Sequence, residues 1–107
     1  MLENTTIVWM GEFGRTPQIN DNTGRDHFPV AWSTVLAGGG LQGGQVIGNT
    51  GDSGMEVKDQ PVQVRNFYAT ICEALGIDHT HENISNLGRP ISIVESGAEP
   101  LKEVLNT

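Results

Sequence analysis

The chain has 107 residues, six basic against thirteen acidic, giving a formal charge of −7 with 36% hydrophobic content. That length sets one domain as the ceiling, and the acidic excess argues against a nucleic-acid partner, because phosphate contacts need a basic face. Cys72 is the single cysteine, so no intrachain disulfide forms, and no apolar run approaches the ~20 residues of a membrane span.

The first residues, "MLENTTIVW", have neither the basic segment nor the apolar length of a signal peptide. Within them "TTIVWM", residues 5–10, is β-branched, aromatic and apolar on successive positions. Such a run predicts a strand buried on both faces, as in a parallel sheet covered by helices. Residues 11–29 then turn polar and glycine-rich, and a loop of that length inside a compact domain is either functional or disordered. For "VAWSTVLAG", residues 30–38, strand and helix are both defensible, and the flanking Pro29 and the glycines at 38–40 favour a short extended element. A further strand is expected at residues 45–47, between turn signals.

The clearest helix lies in "VQVRNFYATICEALGI". Val64, Phe67, Tyr68, Ile71 and Leu75 recur on one apolar face. Pro61 lies just before the start, and Gly76 stands where a left-handed residue ends a helix. "RPISIVE" follows as a final short strand and "EPLKEVL" as a terminal helical turn. About three strands and one helix are too few to cover "TTIVWM" on both sides. The expectation is therefore a single C-terminal fragment, residues 1–107, of a larger α/β domain, incomplete on its own and prone to associate through an exposed sheet edge.

Four features carry chemistry. Gly38, Gly40 and Gly43 satisfy the spacing of a dinucleotide fingerprint, but no helix can follow them to receive a pyrophosphate, so they read as a turn cluster. Cys72, beside Ile71 on the helix, reads as a buried structural thiol. Asp78, His79, His81 and Glu82 in "DHTHE" read as a solvated turn with surface histidines, and a small metal site is the minority reading. The strongest feature is the loop after the first strand. Glu12 leaves the end of a strand, where α/β sheets place ligands. With His27 it offers one oxygen and one nitrogen to a divalent ion. Arg15 and Arg25 are suited to clamp an anion bidentately. The alternative is an arginine–carboxylate network that merely pins the loop, with His27 hydrogen-bonded inside it.

"VWMGEFGRTPQIN…GRDHFPVAWSTVLAGGGLQGGQVIG", "PVQVRNFYATICEALGI" and "GRPISIV" resemble the C-terminal portion of the DUF1501 proteins, which are abundant in planctomycetes and grouped with the alkaline phosphatase/sulfatase-like superfamily. The resemblance covers residues 4–105, and "GEFGRTP" with "GRDHFP" is its most specific part. It implies an α/β/α sandwich with a mostly parallel sheet, and a metal-dependent hydrolase of phosphate or sulfate esters. Glu12 falls where that superfamily has a metal-binding aspartate, and His27 matches its later histidine. Phe13 replaces the histidine paired with that aspartate, which removes one ligand. Arg15, Arg25 and Asp26 are then expected at the anion, with Zn²⁺, Ca²⁺ or Mg²⁺ as cofactor. The nucleophile and the remaining ligands belong to preceding segments of the family, so no catalytic residue is expected here. The family also suggests an exported or periplasmic protein with a small sulfated or phosphorylated substrate. The alternative is a non-catalytic binding or structural module with a degraded metal site.

Overall fold

The computed structural model describes residues 1–106. They contain eight short strands and one helix: β1 Thr6–Trp9, β2 Gly14–Arg15, β3 His27–Phe28, β4 Val35–Gly38, β5 Asn49–Thr50, β6 Val57–Asp59, α1 Val64–Ala74, β7 Glu82–Ile84 and β8 Pro90–Ser92, with 3-10 turns at Leu2–Asn4 and Lys102–Val104. The strands pair two by two, as β1–β4, β2–β3, β5–β6 and β7–β8. The last three pairs are antiparallel.

The expected α/β/α sandwich with a mostly parallel sheet is therefore corrected. Parallel neighbours need crossover connections of a dozen or more residues, usually helical. Here a single helix is present among the described residues, and β2–β3, β5–β6 and β7–β8 each join consecutive strands by a local turn. β1 is a strand as expected, but it belongs to a two-stranded sheet and is not buried on both faces. Ile7 is 46% exposed and Trp9 76%. The strand expected at residues 45–47 is also absent; left-handed glycines at 44 and 48 flank that stretch and break the extended run. Pairing starts instead at Asn49. No helix among the described residues is long and apolar enough to cross a membrane.

The chain divides into two compact units, one from Met1–Ile7, Ala37–Gln45 and Val62 onward, the other from Val8–Leu36 and Val46–Pro61. The first is organised around α1. Its buried positions are Phe67, Ala69 and Thr70, whereas Val64, Tyr68 and Leu75 of the expected apolar face are about half exposed. The side chains of Asn66 and Thr70 explain the difference. Asn66 Oδ1 accepts the Glu99 amide at 2.9 Å, and Thr70 Oγ1 accepts the Leu101 amide at 2.8 Å. Small and polar residues face inward because they receive another stretch of backbone.

Residues 39–42 are bonded to backbone on both sides. The Gly39 amide donates to the Thr5 carbonyl (2.8 Å), the Gln42 amide to the Val104 carbonyl (2.8 Å) and the Asn106 amide to the Gly40 carbonyl (3.0 Å). The glycine-rich segment is a turn, as its sequence context implied, with no helix directly after it, and its backbone bonds make it a packing element as well.

In the second unit β2 and β3 form a hairpin that continues beyond its paired residues. The Thr16 amide reaches the Asp26 carbonyl (2.9 Å) and the Asn20 amide reaches the Gly24 carbonyl (2.8 Å). Asn20 closes the tip: its Oδ1 accepts the amides of Asn22 and Gly24, each at 3.0 Å. Such asparagine-centred turns replace backbone pairing with side-chain acceptors. Phe28 supplies a buried apolar residue at the base of this hairpin.

Candidate functional site

The hairpin decides where the loop residues lie. Pairing of Gly14 with Phe28 and of Arg15 with His27 sets Arg15 and His27 opposite each other. Directly paired residues project to one face of a ribbon, with Cβ atoms roughly 5 Å apart. Phe13 lies against the His27 ring, centroids 4.5 Å apart and planes tilted by 52°. The position that the resemblance assigns to a second histidine is therefore occupied by an aromatic ring lying against one side of His27, which stays exposed.

The two arginines brace the hairpin through backbone carbonyls. Arg15 Nη1 donates to the Arg25 carbonyl at 3.1 Å. Arg25 Nη1 donates to the carbonyls of Thr16 (2.9 Å) and Pro17 (2.5 Å). Asp26 Oδ1 accepts Asn20 Nδ2 at 2.9 Å. Among the described residues no ion pair includes Arg15, Arg25 or Asp26, so in place of the alternative arginine–carboxylate network the loop is pinned by arginine-to-carbonyl bonds. Glu12 is solvent-exposed, between β1 and β2. Neither it nor His27 belongs to a gathering of three metal-ligating groups: among the described residues the one such gathering lies elsewhere.

That gathering is Glu73, Asp78 and His79, whose ligand atoms all lie within 4.8 Å of one another. The ending of α1 creates it. The Gly76 amide donates to the Glu73 carbonyl (3.0 Å) and the Ile77 amide to the Cys72 carbonyl (2.8 Å), with Gly76 at φ +76°. This paired closure reverses the chain at once, returning residues 78 and 79 to the last helical turn. His79 Nδ1 then meets Glu73 Oε1 at 2.6 Å. Sequence reading found Asp78 and His79 but not Glu73. The available signal was Gly76 itself, since a left-handed cap folds the next residues back onto the final turn.

Asp78 Oδ1 accepts both the Thr80 hydroxyl (2.6 Å) and the Thr80 amide (2.9 Å). The Thr80 hydroxyl, then the amide, holds the Asp78 carboxyl below its ordinary value. A depressed folded value adds stability above the unfolded value and loses it as pH falls through the folded one. Thr80→Val should return the Asp78 titration toward the ordinary carboxylate range. Carboxyl ¹³C NMR checks this, and an unchanged titration would remove the hydroxyl as the cause.

Beside β1 a hollow lined by Trp9, Met10, Gly11, Ser33, Thr34 and Val35 encloses about 220 Å³. It holds no titratable side chain and is smaller than the roughly 300 Å³ at which drug-sized sites begin.

Residues 1–105 match the family described as "Protein of unknown function (DUF1501)". No curated protein and no solved structure matches the chain.

Proposed function

This chain belongs to the DUF1501 family, and within it we propose that the loop of residues 11–28 recognises the charged group of a phosphate or sulfate ester, in a protein of sulfatase/phosphatase-like hydrolase type. The observation carrying this reading is the cross-strand placement of Arg15 opposite His27. Each arginine is tethered through Nη1 to a neighbouring carbonyl. Tethering one corner of a guanidinium orients the fork while leaving further N–H donors for a tetrahedral oxyanion. An anion there would meet preorganised donors, and the tethering removes part of the ordering cost of binding.

A hydrolase of this class uses a bound divalent ion to polarise the ester and stabilise the leaving oxygen. Glu12 and His27 supply one oxygen and one nitrogen, short of the three protein ligands of an open zinc site. The pair alone does not fit the ion, and no step is assigned to a metal in this loop. The residues here account for recognition of the anion. A second reading, a non-catalytic binding module, draws support from Phe13, an aromatic ring that lies against His27 and offers no metal ligand.

Titration with inorganic sulfate and phosphate, followed by ¹H–¹⁵N NMR, tests the proposal. Saturable shifts should centre on Arg15, Arg25 and His27, and Arg15→Gln should weaken binding by roughly tenfold, the worth of one charge-assisted hydrogen bond. Identical titrations of wild type and Arg15→Gln would sink it. Turnover of aryl phosphate or aryl sulfate separates the hydrolase from the binding module, which would bind the anion and leave the ester intact.

A further inference from the structure

We infer that Glu73, Asp78 and His79 form a binding site for a divalent ion of the zinc class at the exit of α1. The inference concerns different residues from the hairpin loop, so either reading can fail without the other.

The spacing fits first. A tetrahedral ion with bonds of about 2.0–2.1 Å holds its ligand atoms roughly 3.3 Å apart. The three donor atoms already lie within 4.8 Å of one another. Glu73 Oε1 and His79 Nδ1, at 2.6 Å, need part by less than about 1 Å for an ion to replace the proton between them. Both Thr80 contacts fall on Oδ1 of Asp78, so Oδ2 accepts no hydrogen bond among the described residues and faces no competition for a metal. Side-chain exposure is 18% for His79 and 38% for Glu73, so His79 is well shielded while Glu73 leaves the site an approach from solvent.

The electrostatics of the helix point the same way, independently of the cluster's spacing. The C-terminal end of a helix carries a partial negative charge and favours cations. The last turn of α1 has no basic residue and instead carries Glu73, with Asp78 returned beside it by the Gly76 reversal. Two carboxylates and the helix terminus thus converge around one imidazole, and the chain answers them with no arginine or lysine among the ion pairs at this place. A bound cation supplies what the terminus lacks.

The donor set selects the kind of ion. Ca²⁺ and Mg²⁺ are held by oxygen ligands, and Ca²⁺ takes six to eight of them. One imidazole nitrogen with two carboxylates suits Zn²⁺, with the fourth position left to water.

The experiment is a ZnCl₂ titration of the intact chain, followed by ¹H–¹⁵N NMR with CaCl₂ run in parallel. The expected result is a saturable one-to-one response confined to the end of α1 and residues 77–81, absent with Ca²⁺ at the same concentration. Losing an outer partner of a metal ligand weakens affinity by about 10–100-fold, and losing a ligand itself should cost no less. His79→Ala should therefore lose at least that much, as should Glu73→Gln, which keeps side-chain size and guards against misfolding of the first variant. His81→Ala, outside the trio, should bind as wild type does. Equal Zn²⁺ affinity in wild type and Glu73→Gln overturns the site, as does a response centred on His27 or His81. An equal response to Ca²⁺ overturns the choice of ion.

Discussion

Alanine at Gly40 is expected to lower the melting temperature of the chain by roughly 10 °C or more, and to weaken Zn²⁺ binding at the end of α1. Gly40 sits at φ +79°, and a Cβ there would run into the Ala74 carbonyl and its Cα. Two costs combine. A non-glycine residue forced into the left-handed region loses about 1–3 kcal/mol. The collision is with helix backbone, which cannot swing aside as a side chain would, so the helix end or residues 39–42 must shift. A loss of about 2–3 kcal/mol converts to a shift of this size for a domain of roughly 100 residues. The neighbouring glycines separate the two costs. Gly44, at φ +77° with open space around it, carries strain alone, and Gly43 has open space and no left-handed backbone. Circular dichroism at 222 nm should thus rank Gly43→Ala nearest wild type, Gly44→Ala lower and Gly40→Ala lowest. Equal transitions for the Gly40 and Gly44 variants would show that contact with Ala74 contributes nothing. Because Ala74 follows Glu73 directly, the Gly40 variant should also displace one ligand of the inferred site.

α1 was the most legible element. Its periodicity, the preceding Pro61 and the terminating Gly76 place it at Val64–Ala74, one residue from the expected end. Its buried face was legible only in part: of the positions ranked by apolarity, Phe67 is buried as expected, but Val64, Tyr68 and Leu75 are about half exposed. Beside Phe67 the inward face holds Ala69 and Thr70, and Thr70 is there for the backbone amide its hydroxyl receives. β1 was legible as a strand but not in its surroundings, since an apolar run does not reveal how many neighbours a strand has.

The short pairs were hidden for a different reason. β2 and β3 hold two residues each, too few for any period to register. Their pairing depends on Asn20 closing the tip and on arginine side chains bracing carbonyls across the hairpin. β7 and β8 likewise depend on Ser85, whose Oγ accepts the amides of Leu87 and Arg89. Where turn chemistry rather than hydrophobic pattern dictates structure, a polar stretch looks like loop until its hydrogen bonds are traced. The same holds for the sites. Arg15, Arg25 and His27 were recognisable by residue type, yet the carbonyl partners of the arginines and the ring lying against His27 belong to pairing the pattern does not disclose. Asp78 and His79 were visible as ligands in a turn, while their third partner lies across a helix cap.

Valine at Thr70 is expected to destabilise the chain by about 1–3 kcal/mol although it is nearly isosteric and more apolar. Thr70 is fully buried, so apolarity alone would favour valine there. Its hydroxyl, however, serves two groups at once. It donates to the Asn66 carbonyl at 2.7 Å and accepts the Leu101 amide at 2.8 Å. The Asn66 carbonyl belongs to the helix and has that ladder to fall back on, but the Leu101 amide is left without its acceptor. An orphaned, partly buried donor costs its full desolvation penalty, about 1–3 kcal/mol, which exceeds what one added methyl group returns. Serine makes the contrast decisive. It keeps the hydroxyl and loses only a methyl group, a change worth roughly 1 kcal/mol. If the hydroxyl matters more than the fit, Thr70→Ser will melt above Thr70→Val; if packing matters more, the order reverses. Hydrogen exchange at Leu101 locates the cause, because its amide should remain protected in the serine variant and exchange rapidly in the valine variant. Protection that survives in Thr70→Val would mean that the segment after Glu99 is held to α1 through Asn66 without help from Thr70.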